Sequence, residues 1–128
     1  MIAADTSTWI AFLEGGPGDD IRLLDRALEA SQVLMVPVVL TELLSDPKMP
    51  PAVAQTLSEI PFLPIEPEYW RRAGALRARV LEKRRKARLG DALIAQCCMD
   101  RGIALLTRDR DFQVFAQSAG LDLIFRAR

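Results

Sequence analysis

Short apolar runs alternate along this chain with stretches in which hydrophobic residues recur every three or four positions. "MIAAD" predicts a strand ending at Asp5, and "TWIAFLE" a helix capped by Thr6 or Ser7 and stopped by Gly15 and Gly16. Pro17 opens a second helix with Ile21, Leu24 and Leu28 on one face, and "VLMV" at 33–36 returns as a buried strand. Pro37 starts a helix through "VVLTELL", the pair Pro50 and Pro51 precedes an amphipathic stretch ending near Glu59, and "FLPI" is a weak third strand. From Pro67 a long helix sets Tyr69, Ala73, Leu76 and Val80 on one stripe. Gly90 interrupts the pattern before "DALIAQCCMD", a helix apolar almost all round. "IALLT" is then a strand, "DFQVFAQSAG" a helix ending at Gly120 and "LDLIF" a last strand. Strands alternating with helices predict an α/β architecture: a mostly parallel sheet of four to five strands covered by helices on both faces.

Composition narrows the picture. With 128 residues, half of them hydrophobic, the chain is expected to form one domain over 1–128, burying roughly two thirds of its unfolded surface. No basic region precedes Asp5, and the longest apolar run, "VLMVPVVL", is too short to span a bilayer. Cys97 and Cys98 are adjacent and sit in an apolar stretch, as expected of core packing in a reducing compartment. A cytoplasmic protein with no membrane association is the expectation.

Histidine is absent, which removes the usual neutral-pH base, histidine metal sites and every Ser-His or Cys-His catalytic pair. Hydrolytic chemistry must rest on carboxylates. The net charge of zero conceals a split: from Arg71 to Arg88 nine basic residues face Glu82 alone, so this segment carries +8 and the remainder −8. Such a segment suits a phosphate backbone, with Arg84, Arg85 and Arg88 as candidate contacts, and it is equally read as a solvated helix face. Tyr69 and Trp70 are aromatic candidates for base stacking, although Tyr69 also belongs to the apolar stripe.

In open parallel sheets, ligands bind beyond the carboxyl ends of the strands. Asp5 and Asp109 each follow a strand, Glu42 lies in the helix after the second, and Asp91 opens the apolar helix. Each has a structural reading as well. Asp91 complements the helix dipole, Asp109 caps a helix, and Glu42 occupies a solvated position. Asp5, between "MIAA" and "TSTWIAF", is expensive to bury without a partner. Four converging carboxylates repel one another, and a divalent cation resolves that conflict. Oxygen-only donors select Mg²⁺ or Mn²⁺ over zinc, and such ions support displacement at phosphorus.

With "DTSTWIAFL", the glutamate of "LTELL", "GDALIAQ" and "LLTRDRDF" in this order over essentially the full length, the chain resembles the PIN-domain ribonucleases, and more narrowly the VapC-type toxins of toxin-antitoxin modules. The resemblance implies a single PIN-like domain with Asp5, Glu42, Asp91 and Asp109 as catalytic and metal-binding acids, supported by Ser7 and Thr107. It further implies Mg²⁺- or Mn²⁺-dependent cleavage of single-stranded or loop RNA, a small VapB-like antitoxin that blocks the site, and a homodimer. Family members differ in which late acid reaches the metal, and here both Asp109 and Asp111 are present. Phe112 and Phe115 begin a helical stripe, so Asp111 is expected in the first helical turn, with Asp109 at the strand end.

Two other classes compete with a nuclease. A phosphoacceptor receiver domain needs an aspartate pair after the first strand, where Asp5 stands alone, and a late lysine, where the chain has only Lys48, Lys83 and Lys86. A PIN-fold module that binds nucleic acid or a partner without catalysis is the nearer alternative. Asp5→Asn separates it from an enzyme.

Overall fold

The computed structural model describes residues 1–125; the last three positions of the expected domain lie outside the described residues. The order is β1 (Ile2–Ala4), α1 (Thr6–Leu13), α2 (Asp19–Glu29), α3 (Pro37–Leu44), α4 (Pro51–Ser58), α5 (Tyr69–Glu82), α6 (Leu89–Asp100), β2 (Ala104–Thr107), a 3-10 turn (Arg110–Phe112), α7 (Gln113–Ala119) and β3 (Leu123–Phe125). All pairing is parallel, in the order β1-β2-β3, with Ala3 opposite Leu105 and Leu106 opposite Ile124.

The sheet has three strands among the described residues, not the four to five expected. Segment 33–36 makes only a bridge from Val33 to Ile2 and one from Met35 to Phe62. Proline explains the shortfall. Pro37 ends the first segment by opening α3, while Pro61 and Pro64 bracket Phe62 and supply no N–H for a ladder. The remaining donors are used, with Met35 N bonding Pro61 O at 2.8 Å and Leu63 N bonding Met35 O at 2.9 Å.

Successive strand residues point to opposite faces. Ala3 and Ala4, like Leu105 and Leu106, are all buried, so both faces of β1 and β2 are covered. Trp9, Leu24, Val39 and Leu43 join the same contiguous core, as do Tyr69, Leu76 and Val80 of the α5 stripe, whose fourth member, Ala73, is also buried. Cys97 and Cys98 are free and buried, and burial pushes the Cys97 thiol up to about 11, which suits packing and not nucleophilic chemistry. No described helix is long and apolar enough to cross a membrane.

Three local expectations change. Asp5 itself, not Thr6 or Ser7, caps α1: its backbone is extended and its carboxylate accepts from Thr8 N at 3.1 Å. Pro17 lies before α2, whose cap is Gly18. Gly90 does not interrupt the chain but lies inside the first turn of α6.

Candidate metal centre

The connection from β1 to β2 contains α1 through α6, so residues a hundred positions apart meet at the carboxyl edge of the two strands. Asp5 N continues the ladder by bonding Leu106 O at 3.1 Å. Thr107 Oγ1 donates to Asp5 Oδ2 at 2.8 Å and accepts from Asp109 N at 2.9 Å, linking the two strand ends through one hydroxyl. Ser7 Oγ donates to the same Asp5 oxygen at 2.8 Å. Both residues expected to support the site are therefore hydrogen-bonded to Asp5. Burial pushes the Asp5 carboxyl above its ordinary range, against the pull of bonds from Thr107, Ser7 and Thr8.

Asp91, in the first turn of α6, faces Asp109 and Asp111, and carboxylate oxygens of the three lie within 4.8 Å of one another. Asp109 is extended and caps the 3-10 turn, accepting from Asp111 N at 2.9 Å, and this short turn brings Asp111 round to the same side. Asp111 thus lies in the first turn, as expected, and is at the same time a member of the cluster. Burial pushes the Asp91 carboxyl up to about 6; Asp109, Asp111 and Asp5 add to the rise, and Arg88 opposes it. Three half-buried acids with all-oxygen donors and mutual repulsion fit a hard divalent cation.

Glu42, exposed on α3, stands at the rim, outside the three-acid group. Thr6 Oγ1 donates to its Oε1. Its other oxygen lies against Gly90: a Cβ built there would be 3.1 Å away.

Three residues of the site were not read from sequence. Lys86 Nζ lies 2.9 Å from Asp111 Oδ2, bringing a cation to the cluster's edge. Its loop is fixed by Arg84 in a left-handed conformation (φ 57°), by the buried Ala87 and by Arg77 Nε, which donates to Ala87 O at 2.8 Å. The basic run was the available signal, but the turn that selects Lys86 from it is invisible in composition. Arg84, Arg85 and Arg88 are exposed; only Arg88, the α6 cap, acts electrostatically on Asp91. The other two residues are Arg108 and Asp20. Arg108 grips the fully buried Asp20 through Nε and one terminal nitrogen, at 2.7 and 2.8 Å, pinning the segment between Thr107 and Asp109 to the start of α2. Burial alone would raise the Asp20 carboxyl, but the guanidinium holds it below its ordinary value.

An apolar hollow of about 510 Å³ lies beside Glu42, lined by Ile10, Leu13, Leu43, Met49 and Val53. A second, of about 360 Å³, adjoins it at Leu13 and Val53 and extends to Trp9 and Phe12.

The fold is found in other solved proteins. It is similar to a member of the VapBC family of toxin-antitoxin systems from Mycobacterium tuberculosis (21% identity, 99% of this chain and 98% of that one, TM-score 0.66). A DNA-bound VapBC from Salmonella typhimurium (21%, 98% and 98%, 0.73) and a toxin-antitoxin complex from Klebsiella pneumoniae (24%, 97% and 96%, 0.66) are also similar. No curated protein matches the sequence. The PIN domain family matches residues 2–117, and the chain belongs to that family.

Proposed function

We propose that the chain is a Mg²⁺- or Mn²⁺-dependent endoribonuclease, the toxin of a VapBC-like toxin-antitoxin module acting in the cytoplasm. The observation that carries this reading is the cluster of Asp91, Asp109 and Asp111, whose oxygens lie within 4.8 Å of one another and where burial and mutual repulsion keep Asp91 raised despite Lys86 and Arg88 nearby. These three acids would hold the ion, with Asp5 and Glu42 completing the set. Bound there, the ion would grip phosphate oxygens, activate water and stabilise the leaving oxygen.

The chain's own groups have distinct tasks. Thr107 and Ser7 hold Asp5 by its Oδ2, fixing the carboxylate's direction. Glu42, exposed and tethered by Thr6, would orient water arriving from solvent. Lys86 and Arg88, at the edge of the acids, offer charge to the phosphates of an RNA strand. Arg108, bound to Asp20, keeps the Thr107–Asp109 segment in register.

An antitoxin partner is supported by the toxin-antitoxin complexes that share this fold and by the apolar trough beside Glu42, where Ile10 and Leu13 are exposed. A peptide with an apolar face seated there would close the approach to the acids. A homodimer completes the proposal, and light scattering at working concentration checks it: a monomer would contradict it.

The test is RNA cleavage by purified protein with Mg²⁺ or Mn²⁺, in EDTA and in Asp5→Asn. Cleavage that stops in EDTA and in the variant supports the enzyme. Full activity after exhaustive chelation contradicts it, and RNA binding without cleavage by wild type favours a non-catalytic module.

A further inference from the structure

We propose that Gly90 is a positioning residue of the acidic site: its missing side chain is what admits the Glu42 carboxylate to the first turn of α6, one residue from Asp91. The inference rests on reading Glu42 as part of the cation-binding set.

Glycine is the least favourable residue in a helix after proline, so one inside α6 calls for a local reason. Backbone conformation does not supply it. The glycines with left-handed or otherwise positive φ are Gly15, Gly18, Gly102 and Gly120, and Gly90 is not among them. Gly74, in α5, has nothing within 4 Å of where its Cβ would be. At Gly90 the same atom would meet Glu42 Oε2 at 3.1 Å and its Cδ at 3.8 Å.

The first distance is tighter than an ordinary carbon–oxygen contact, so a methyl group requires the carboxylate to yield. It is not free to do so at no cost, because its other oxygen accepts from the hydroxyl of Thr6, the residue after Asp5. The carboxylate is thus held between the starts of α1 and α6, with its approach to α6 set by a hydrogen atom. Moving outward draws Glu42 away from Asp91; rotating in place sacrifices the Thr6 bond. Either change weakens the set of oxygens without touching a buried core residue.

The experiment measures Mn²⁺ binding by electron paramagnetic resonance to wild type, Gly90→Ala, Glu42→Gln, the double variant and, as a control, Gly74→Ala. Gly90→Ala and Glu42→Gln should each weaken binding roughly tenfold, the scale of losing an orienting partner at a metal site. The double variant should bind no more weakly than Glu42→Gln alone, since a displaced carboxylate and a missing charge remove the same contribution. Gly74→Ala should bind as wild type does. The metal-free thermal midpoint of Gly90→Ala should equal or exceed that of wild type, because alanine favours the helix. Wild-type affinity in Gly90→Ala, alongside weakened Glu42→Gln, would overturn the proposal, as would losses that add in the double variant. Unaltered binding in Glu42→Gln, or no binding by wild type, would instead remove the reading of Glu42 on which the proposal rests.

Discussion

Asp20 and Asp91 are both drawn out of solvent, and burial pushes both carboxyls upward, yet they finish on opposite sides of the ordinary value. Asp20 is gripped through two oxygens by Arg108 and is lowered. Asp91 faces Asp109, Asp111 and Asp5, and rises to about 6. The two sites are joined by one stretch of chain, since Arg108 stands between Thr107 and Asp109. The fold thus neutralises a fully buried acid where a partner serves structure, and a few residues away gathers three acids whose repulsion Lys86 and Arg88 offset only in part. Like charge gathered at a strand edge is a better sign of function than burial alone.

The largest expected difference between these acids is in what their loss removes. Asp91→Asn should lower cleavage at least about a hundredfold, more than the loss of an outer orienting group at a metal site, with the metal-free thermal midpoint unchanged or higher. Asp20→Asn should do the reverse, costing about 3 kcal/mol of stability by leaving Arg108 without its charge partner. Urea unfolding and initial cleavage rates separate the two, and a large stability loss in Asp91→Asn would erase the contrast.

Within the cluster, Asp109→Asn should cost more activity than Asp111→Asn. Asp109 faces Asp91 and also caps the turn that presents Asp111, whereas Asp111 already shares its charge with Lys86. Equal losses, with the fold intact by circular dichroism, would make the two acids equivalent. The opposite order would give the main role to Asp111.

Acidity sharpens the contrast further. Because Asp91 rises from 3.8 to about 6 on folding, the stability it contributes is fully present below its unfolded value and is lost as pH rises through about 6. Asp20 is lowered, so its contribution is present above its ordinary value and lost as pH falls through the depressed one. Metal-free wild type should therefore lose thermal stability between pH 4 and pH 6 relative to Asp91→Asn, while Asp20→Asn should flatten the acid limb below that window. Parallel profiles for wild type and Asp91→Asn would show that the raised value has no energetic consequence.

The smallest effects belong to the exposed basic residues. Replacing Arg84 and Arg85 by Gln should flatten the dependence of RNA affinity on log salt by about one unit per lost phosphate contact. Lys86→Met, at the cluster's edge, should change affinity more than either single arginine change. An unchanged slope in all three would leave the segment a solvated face.

The contrast also separates what could be read in the sequence from what could not. Period-two and period-three-to-four patterns located the helices, the parallel sheet and the α5 stripe, because burial dictates those positions regardless of detail. Asp5, Asp91 and Asp109 were legible because strand ends and helix starts in an α/β sheet share one edge. Arg108 and Asp20 were not, since their pairing depends on where α2 begins, and Gly18 rather than Pro17 sets that. Lys86 depended on the left-handed turn at Arg84. Gly90 looked like a break because glycine usually is one, and its role emerges only beside Glu42. The missing strands have a backbone cause, as proline removed the donors that would have turned bridges into ladders.

The most direct test of the central claim, that the acids at the sheet edge form a divalent-cation site, is the Mn²⁺-induced thermal shift of wild type compared with Asp91→Asn. Binding to the native state at a hundredfold excess over Kd stabilises by about 2.7 kcal/mol. Wild type should therefore gain several degrees at saturating Mn²⁺ and lose the gain in EDTA, while Asp91→Asn gains little or nothing. No shift in wild type, or an equal shift in both proteins, would contradict the account.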